Sequence, residues 1–142
     1  MSTLLFFHIL LLGLWGGCIA VEGVLEFAAS KDPSTMQTVG RLHYWIDIVV
    51  EIPAFMGVLI TGLLMLNFAR LAAPMYLAKI TLGSFAILVN VLCVIPVCRR
   101  RGALDANDLA EVKRRSRQIY FAFGVGVPAG FAALLIGMLG LA

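Results

Sequence analysis

The chain has 142 residues, of which 61% are hydrophobic and 13% charged, and its mean hydropathy is +0.98. This composition excludes an ordinary soluble globular domain. The net charge of +3 comes without the basic and aromatic arrays that RNA- and DNA-binding proteins use, so we expect no nucleic-acid partner.

Four long apolar stretches run along the chain, at residues 4–28, 42–68, 75–97 and 119–141. Each is longer than the roughly 18–20 residues that a transmembrane helix needs. The sequence therefore predicts an all-α fold, a single integral membrane domain that forms a four-transmembrane-helix bundle in the lipid bilayer. No Lys or Arg precedes the first stretch, and its apolar run is too long for a signal peptide, so we expect it to be retained.

Ionisable side chains interrupt the first two predicted helices. His43, Asp47 and Glu51 follow one another at intervals of four residues and so share one broad helical face. The first helix carries Glu22 and Glu26, and the short loop after it makes the two helices antiparallel neighbours. Equal distances from that loop pair Glu26 with His43 and Glu22 with Asp47.

The third predicted helix supplies polar residues at matching depths. Asn90 lies at the level of Glu51, and Cys93 lies about one turn closer to the helix end. Pro53 has no N–H to donate to the carbonyl of Val49. The missing hydrogen bond allows the helix to bend, and the free carbonyl oxygen can bind a ligand. We expect these groups to surround the acidic residues.

Four carboxylates and an imidazole that pack together cannot all be charged without cations or protons. Carboxylate and imidazole ligands suit a divalent transition metal such as iron, manganese or zinc. The predicted ligands share an inward face of the first two helices and are Glu22, Glu26, His43, Asp47 and Glu51. Asn90 and Cys93 are expected to contact the ligands or the metal.

The same acids also suit plain ion pairs with bases that extend toward the headgroups. The candidate bases are Arg41 or Lys31 for Glu26 and His43, and Arg99 or Arg117 for Glu22 and Asp47, which lie one turn deeper. Such pairing, with the Gly-rich fourth helix as an interface, is typical of a non-enzymatic subunit of a membrane complex. A homo-oligomer or complex subunit is the expected assembly.

The hydrophilic segment 99–117 is predicted to be a basic loop, in which Asp105 or Asn107 caps a short amphipathic helix. On this side of the membrane lie nine basic residues: Lys31, Arg41, Arg99, Arg100, Arg101, Lys113, Arg114, Arg115 and Arg117. The other side has only Arg70 and Lys79. The positive-inside rule places the basic side in the cytoplasm and both termini outside it, in what we expect to be a bacterial inner membrane.

His8 occupies the opposite end of the first helix, on the face that carries Trp15 and Glu22. It is about 27 Å from the level of His43 by the helix rise, so one haem cannot bind both within a subunit. Lys79 is expected at the same outer level as His8, where the two suit an anionic group such as a propionate or a quinone oxygen.

Four short motifs support a resemblance: Phe7-His8, residues 14–17 (LWGG), residues 60–64 (ITGLL) and residues 76–82 (YLAKITL). Over about half of the chain they resemble HemJ-type protoporphyrinogen oxidases and CopD-like copper-resistance membrane proteins. The resemblance implies a bundle of four or more helices in which His8 binds haem or copper and Lys79 matches the family lysine.

The leading hypothesis is a buried metal site used for metal handling or membrane redox chemistry. As an oxidoreductase, the protein takes a quinone or another lipid-soluble substrate that enters between helices. As a transporter, its carboxylates pass the ion toward the cytoplasm and exchange protons. A HemJ-like haem enzyme centred on His8 and Lys79 is the second hypothesis.

Overall fold

A computed structural model describes residues 2–140, except for the side chain of residue 33. Four long helices account for nearly all of these residues: α1 (Thr3–Lys31), α2 (Met36–Leu64), α3 (Pro74–Asp105) and α4 (Leu109–Met138). The described residues include no strand. The predicted all-α, four-helix architecture is confirmed, although residue 141, the end of the predicted fourth span, lies outside the described residues.

The distribution of side chains is that of a membrane protein. Each helix is long and apolar enough to cross a bilayer. Large apolar side chains point outward, including Val24, Phe27 and Phe121, each more than 60% exposed. The buried set includes Glu22 and Arg100, at 1% and 0% exposure. Charged side chains inside and apolar ones outside suit a protein surrounded by hydrocarbon.

The helices pack as two antiparallel pairs that share a core. α3 and α4 form a hairpin along most of their length, and α1 packs against the second half of α2. The first half of α2 packs against α3. The central apolar core contains Trp15, Phe55, Val58, Ala86 and Ala129, so every helix contributes to it.

The hydrophilic segment 99–117 is almost entirely helical, where a loop with a short separate helix was expected. α3 ends in a Schellman motif, in which Asp108 N–H donates to the carbonyl of Ala103 and Asn107 N–H to that of Leu104. Asn107 takes a φ of 54°, a left-handed conformation that Asn tolerates. Asp108 then caps α4 by accepting a hydrogen bond from Glu111 N–H. Compact capping therefore replaces the expected loop.

The basic residues around this turn face the α1–α2 connection. Arg41 lies 3.6 Å from Asp105, so both connections lie at one end of the bundle, which we name the basic end. In the α1–α2 connection, Ser34 donates two hydrogen bonds to Asp32. These bonds hold the pKa of Asp32 below its ordinary value.

The middle of α2 contains a π-helical segment, Asp47–Glu51. Ile52 N–H donates to the carbonyl of Asp47, five residues earlier. Pro53, which follows, cannot donate to Val49, and the ladder of hydrogen bonds widens by one residue before it. Such bulges are frequent at functional sites because they rotate the side chains that flank them. Here both ends of the bulge are acidic residues that point inward.

Candidate metal centre

The polar residues predicted to meet do meet, in the half of the bundle next to the basic end. The expected pairing of Glu26 with His43 is confirmed by a 2.6 Å contact between Oε1 and Nδ1. The expected pairing of Glu51 with Asn90 is confirmed by a 2.9 Å hydrogen bond from the amide. Glu22 and Asp47 also come together, with a carboxylate oxygen of each within 4.8 Å of the other. The helix rise therefore predicted the depths correctly.

Arg100 is the residue that the sequence analysis missed. It is fully buried, and its guanidinium donates two hydrogen bonds to Glu26, from Nη1 to Oε2 at 2.8 Å and from Nη2 to Oε1 at 2.5 Å. Nη1 also lies 3.4 Å from the hydroxyl oxygen of Ser116 on α4. Bidentate pairing of this kind is the strongest geometry for an arginine and a carboxylate. Glu26 thus has a permanent internal cation.

The partners considered for Glu26 and His43 were Arg41 and Lys31. The structure instead pairs Arg41 with Asp105, and Lys31 lies over the ring of Phe27. We name Glu26, Arg100 and the Nδ1 edge of His43 the arginine layer. It is closed by Tyr120, whose hydroxyl donates to the backbone carbonyl of Glu26.

The tautomer of His43 follows from the arginine layer. At 2.6 Å, Nδ1 of His43 and Oε1 of Glu26 need a proton between them, because two lone pairs would repel. Nη2 of Arg100 also lies 3.0 Å from Nδ1, but its stronger acceptor is the Glu26 carboxylate. Nδ1 therefore carries the hydrogen and donates to Glu26. In the neutral ring, Nε2 then presents a lone pair to the other side.

That other side is acidic. Nε2 of His43 lies 3.7 Å from Oε2 of Glu22 and 3.6 Å from Oδ1 of Asp47. These distances are too long for hydrogen bonds. All three side chains are at most 3% exposed. Within the described part of the chain, three buried side-chain atoms have no hydrogen-bond partner: Oε1 of Glu22, Oδ1 of Asp47 and, in the arginine layer, Nε of Arg100. We name Glu22, Asp47, Glu51 and the Nε2 edge of His43 the acidic layer.

Glu51 closes the acidic layer on the side of the bilayer centre. Its Oε1 accepts hydrogen bonds from the indole N–H of Trp15, at 3.1 Å, and from the amide of Asn90, at 2.9 Å. Both donors come from other helices, α1 and α3. Cys93 is buried one turn from Asn90 on the same face of α3. The donors fix the carboxylate of Glu51, which like that of Asp47 is buried on the inward face of α2.

The acidic layer has the donor set and spacing of a metal site. One ligand atom from each of Glu22, His43 and Asp47 lies within 4.8 Å of the others. Ligands about 2.1 Å from a tetrahedral ion are about 3.4 Å apart, close to the 3.6 and 3.7 Å spacings from Nε2. The donation from Nδ1 of His43 to Glu26 matches the carboxylate contact that usually orients a metal-binding imidazole. The residues present fit a divalent transition metal.

The five predicted ligands therefore divide into two groups. Glu22, His43 and Asp47 converge on one point, whereas Glu26 contacts the opposite edge of the imidazole and is occupied by Arg100. Glu51 lies outside this group of three and accepts hydrogen bonds from Trp15 and Asn90. A signal for Arg100 exists in the sequence: positions 79, 86, 93 and 100 repeat every seven residues on the inward face of α3. Arg99 and Arg101 on either side hide this signal in a basic run.

The opposite end of the bundle has a smaller polar group. Nδ1 of His8 lies 2.7 Å from the hydroxyl oxygen of Thr61, which in turn donates to the carbonyl of Gly57 at 2.7 Å. At the same end of the bundle, the side chain of Lys79 lies beside Gly137 of α4. A haem or an anionic ligand at His8 and Lys79 stays a prediction.

A lipid-facing cavity of about 470 Å³ lies between α1, α3 and α4. Gly13 and Gly16 line it without side chains, and the space beside each of them is open. Trp15 and Asn90 form part of its inner wall, and these are the residues that donate to Glu51. The cavity thus reaches within one side chain of the acidic layer.

Comparisons with known proteins leave the site to be interpreted from its own chemistry. No protein-family model, curated protein or solved structure matches the chain.

Proposed function

We propose that the protein binds a divalent transition metal within the membrane, through Glu22, His43 and Asp47. The observation that carries the proposal is the pair of buried carboxylate oxygens, Oε1 of Glu22 and Oδ1 of Asp47, for which the described residues offer no donor. Buried polar atoms are normally paired. A cation beside Nε2 of His43 would contact Oδ1 of Asp47 and Oε2 of Glu22, and would so compensate both carboxylates that carry the unpaired oxygens.

Charge balance supports the same proposal. Arg100 compensates Glu26 alone, because its guanidinium forms both short bonds with that carboxylate. Three carboxyl groups remain in the acidic layer, those of Glu22, Asp47 and Glu51. Carboxylates buried in a medium of low dielectric constant need protons or a cation. A bound divalent ion neutralises two of the three charges and supplies Lewis-acid or electron-transfer chemistry.

The chain's own residues have distinct parts in this proposal. Glu26 orients His43 by accepting from Nδ1, and Arg100 fixes Glu26 in that position. The sequence predicted that Glu26 is a metal ligand. In this proposal Glu26 instead positions His43. Trp15 and Asn90 hold Glu51 beside Asp47, where it can accept or release a proton when the ion binds or leaves.

Elemental analysis of the detergent-purified protein, dialysed and then incubated with iron, manganese or zinc, tests the proposal. We expect about one ion per chain in the native protein and a loss of at least tenfold in affinity in Glu22→Gln, Asp47→Asn and His43→Gln. Glu111→Gln is the matched control, because Glu111 pairs with Arg114 and Arg115 at the basic end. Equal metal content in Glu22→Gln and Glu111→Gln would contradict the proposal.

Redox chemistry with a lipid-soluble substrate is the use of the metal that we favour over transport. The support is the cavity of about 470 Å³, which opens toward lipid beside Trp15 and Asn90. A quinone-sized molecule there would be separated from Glu51 by the side chain of Trp15 or Asn90. Oxidation of a reduced quinone by the iron- or manganese-loaded protein, with dioxygen supplied as the electron acceptor, would support this use if it is lost in His43→Gln. Ion uptake into vesicles without any oxidation would support transport.

The haem hypothesis is separated from this proposal by its spectrum. Haem bound at His8 gives a Soret band that disappears in His8→Ala and is unaffected by Glu22→Gln. A purified protein that contains haem and loses no metal in Glu22→Gln would favour a HemJ-like function.

A further inference from the structure

A groove of about 920 Å³ runs between α3 and α4 on the outside of the bundle, away from the acidic layer. At the basic end, four arginines and a glutamine line it: Arg99, Arg114, Arg115, Arg117 and Gln118. Toward the bilayer centre its lining is apolar. The groove thus changes from cationic to apolar along its length.

Two of the four guanidiniums in the groove have partners on the protein. Arg114 lies 2.7 Å from Glu111, and Arg115 donates to Glu111 at 2.6 Å and to Gln118 at 3.0 Å. Arg99 and Arg117 are exposed, and neither has an acidic partner within 4.0 Å among residues 2–140. These two cations are therefore available to an anion from outside.

The apolar part of the groove has the length of a lipid chain. Phe85, Leu92 and Phe121 line it and are 43%, 54% and 74% exposed, so they face the hydrocarbon of the bilayer. Along α3, Phe85 lies about 21 Å from Arg99 by the rise of an α-helix. One leaflet of hydrocarbon is about 15 Å thick. A ligand with its charge at Arg99 can extend an acyl chain as far as Phe85.

We propose that this groove binds an anionic phospholipid, with its phosphate at Arg99 and Arg117 and an acyl chain along Phe121 and Leu92. Charge complementarity selects the headgroup, since basic pockets between helices suit anionic lipid headgroups. The continuous apolar wall selects a lipid over a soluble phosphate. This site is independent of the metal centre, because no residue of the acidic layer lines the groove.

Native mass spectrometry of the detergent-solubilised full chain, titrated with phosphatidylglycerol or phosphatidylcholine, tests the proposal. We expect selective retention of phosphatidylglycerol, and affinity at least about tenfold lower in Arg99→Gln/Arg117→Gln. The matched control is Arg70→Gln/Lys113→Gln, which removes the same charge from exposed residues that do not line the groove.

Circular dichroism confirms the fold of both double variants before titration. A competition with inorganic phosphate tests whether the charge of the headgroup alone is enough for binding. We expect millimolar phosphate to leave the bound lipid in place. Equal affinity of the native protein and Arg99→Gln/Arg117→Gln would overturn the proposal, as would an equal loss in the two double variants. Displacement of the lipid by phosphate alone would identify a soluble-anion site instead.

Discussion

The arginine layer and the acidic layer lie one helical turn apart and share the ring of His43, yet they solve the problem of buried charge differently. In the first, Glu26 receives two hydrogen bonds from Arg100 and one from His43. In the second, Glu22 and Asp47 face Nε2 across 3.7 and 3.6 Å and keep oxygens for which the described chain supplies no donor. A carboxylate compensated by the protein serves structure, and one left uncompensated is available for a ligand.

The largest effect should follow from removing the cation of the arginine layer. Arg100→Met leaves Glu26 buried without its cation, and breaking such a pair costs about 3–5 kcal/mol. Unfolding in detergent, followed by circular dichroism, measures the loss. Arg70→Met is the control, since it changes an exposed arginine that belongs to neither layer and does not line the groove between α3 and α4. Glu26→Gln/Arg100→Met should recover most of the stability. If Arg100→Met alone were as stable as the native protein, Glu26 would not depend on an internal cation and the contrast between the layers would fail.

The acidic layer should respond in the opposite sense. Without metal, Glu22→Gln should leave stability unchanged or raise it, because it removes a charge that has no cation. With metal at a hundred times its dissociation constant, the native protein should gain about 2.7 kcal/mol, and Glu22→Gln should not. Since protons compete with the metal for His43 and the carboxylates, this gain should shrink as the pH falls. The same thermal-unfolding assay checks each point, and a metal-independent loss of stability in Glu22→Gln would make Glu22 a structural residue.

The contrast between the layers also marks the limit of what the sequence predicts. Helix spans and depth matching followed from hydropathy and the helix rise, and they placed Glu26 with His43 and Glu51 with Asn90 correctly. Which edge of His43 each acid contacts depends on side-chain directions that spacing does not supply. Arg100 was missed because a run of three arginines is typical of a membrane boundary, and only its position on the inward face distinguishes the middle one.

The hydropathy pattern also did not reveal the helix caps in the α3–α4 turn. Hydropathy identifies where a helix leaves hydrocarbon, and it does not show where the helix ends. α3 and α4 extend to Asp105 and from Leu109 because Asn107 and Asp108 satisfy the free backbone groups within a single turn. That extension carries Arg100 and Ser116 on rigid helices, which explains how the arginine layer is held without a loop.

A smaller effect is expected where Glu51 joins the acidic layer to the cavity. Asn90→Leu keeps a similar volume and removes one of the two donors to Oε1 of Glu51, leaving Trp15 as the other. Loss of one interhelical hydrogen bond in a membrane protein costs about 0.6–1.7 kcal/mol. Unfolding in detergent measures it. The loss should double in Trp15→Phe/Asn90→Leu. If this double variant were no less stable than Asn90→Leu, the hydrogen bond from Trp15 to Glu51 would not contribute to stability.

The smallest effect is expected at the far end of the bundle, where His8 on α1 contacts Thr61 on α2. Thr61→Val keeps the side-chain shape and removes the oxygen that lies 2.7 Å from Nδ1 of His8. The cost should be about 0.6 kcal/mol, the mean for an interhelical hydrogen bond in a membrane, because His8 is only half-buried and finds other partners. Metal content should be unchanged, since the levels of His8 and His43 differ by about 27 Å along the bundle. Thermal unfolding and elemental analysis of the same sample give both values. A loss of metal in Thr61→Val would couple the two ends of the bundle and would place His8, together with Lys79, in the functional site.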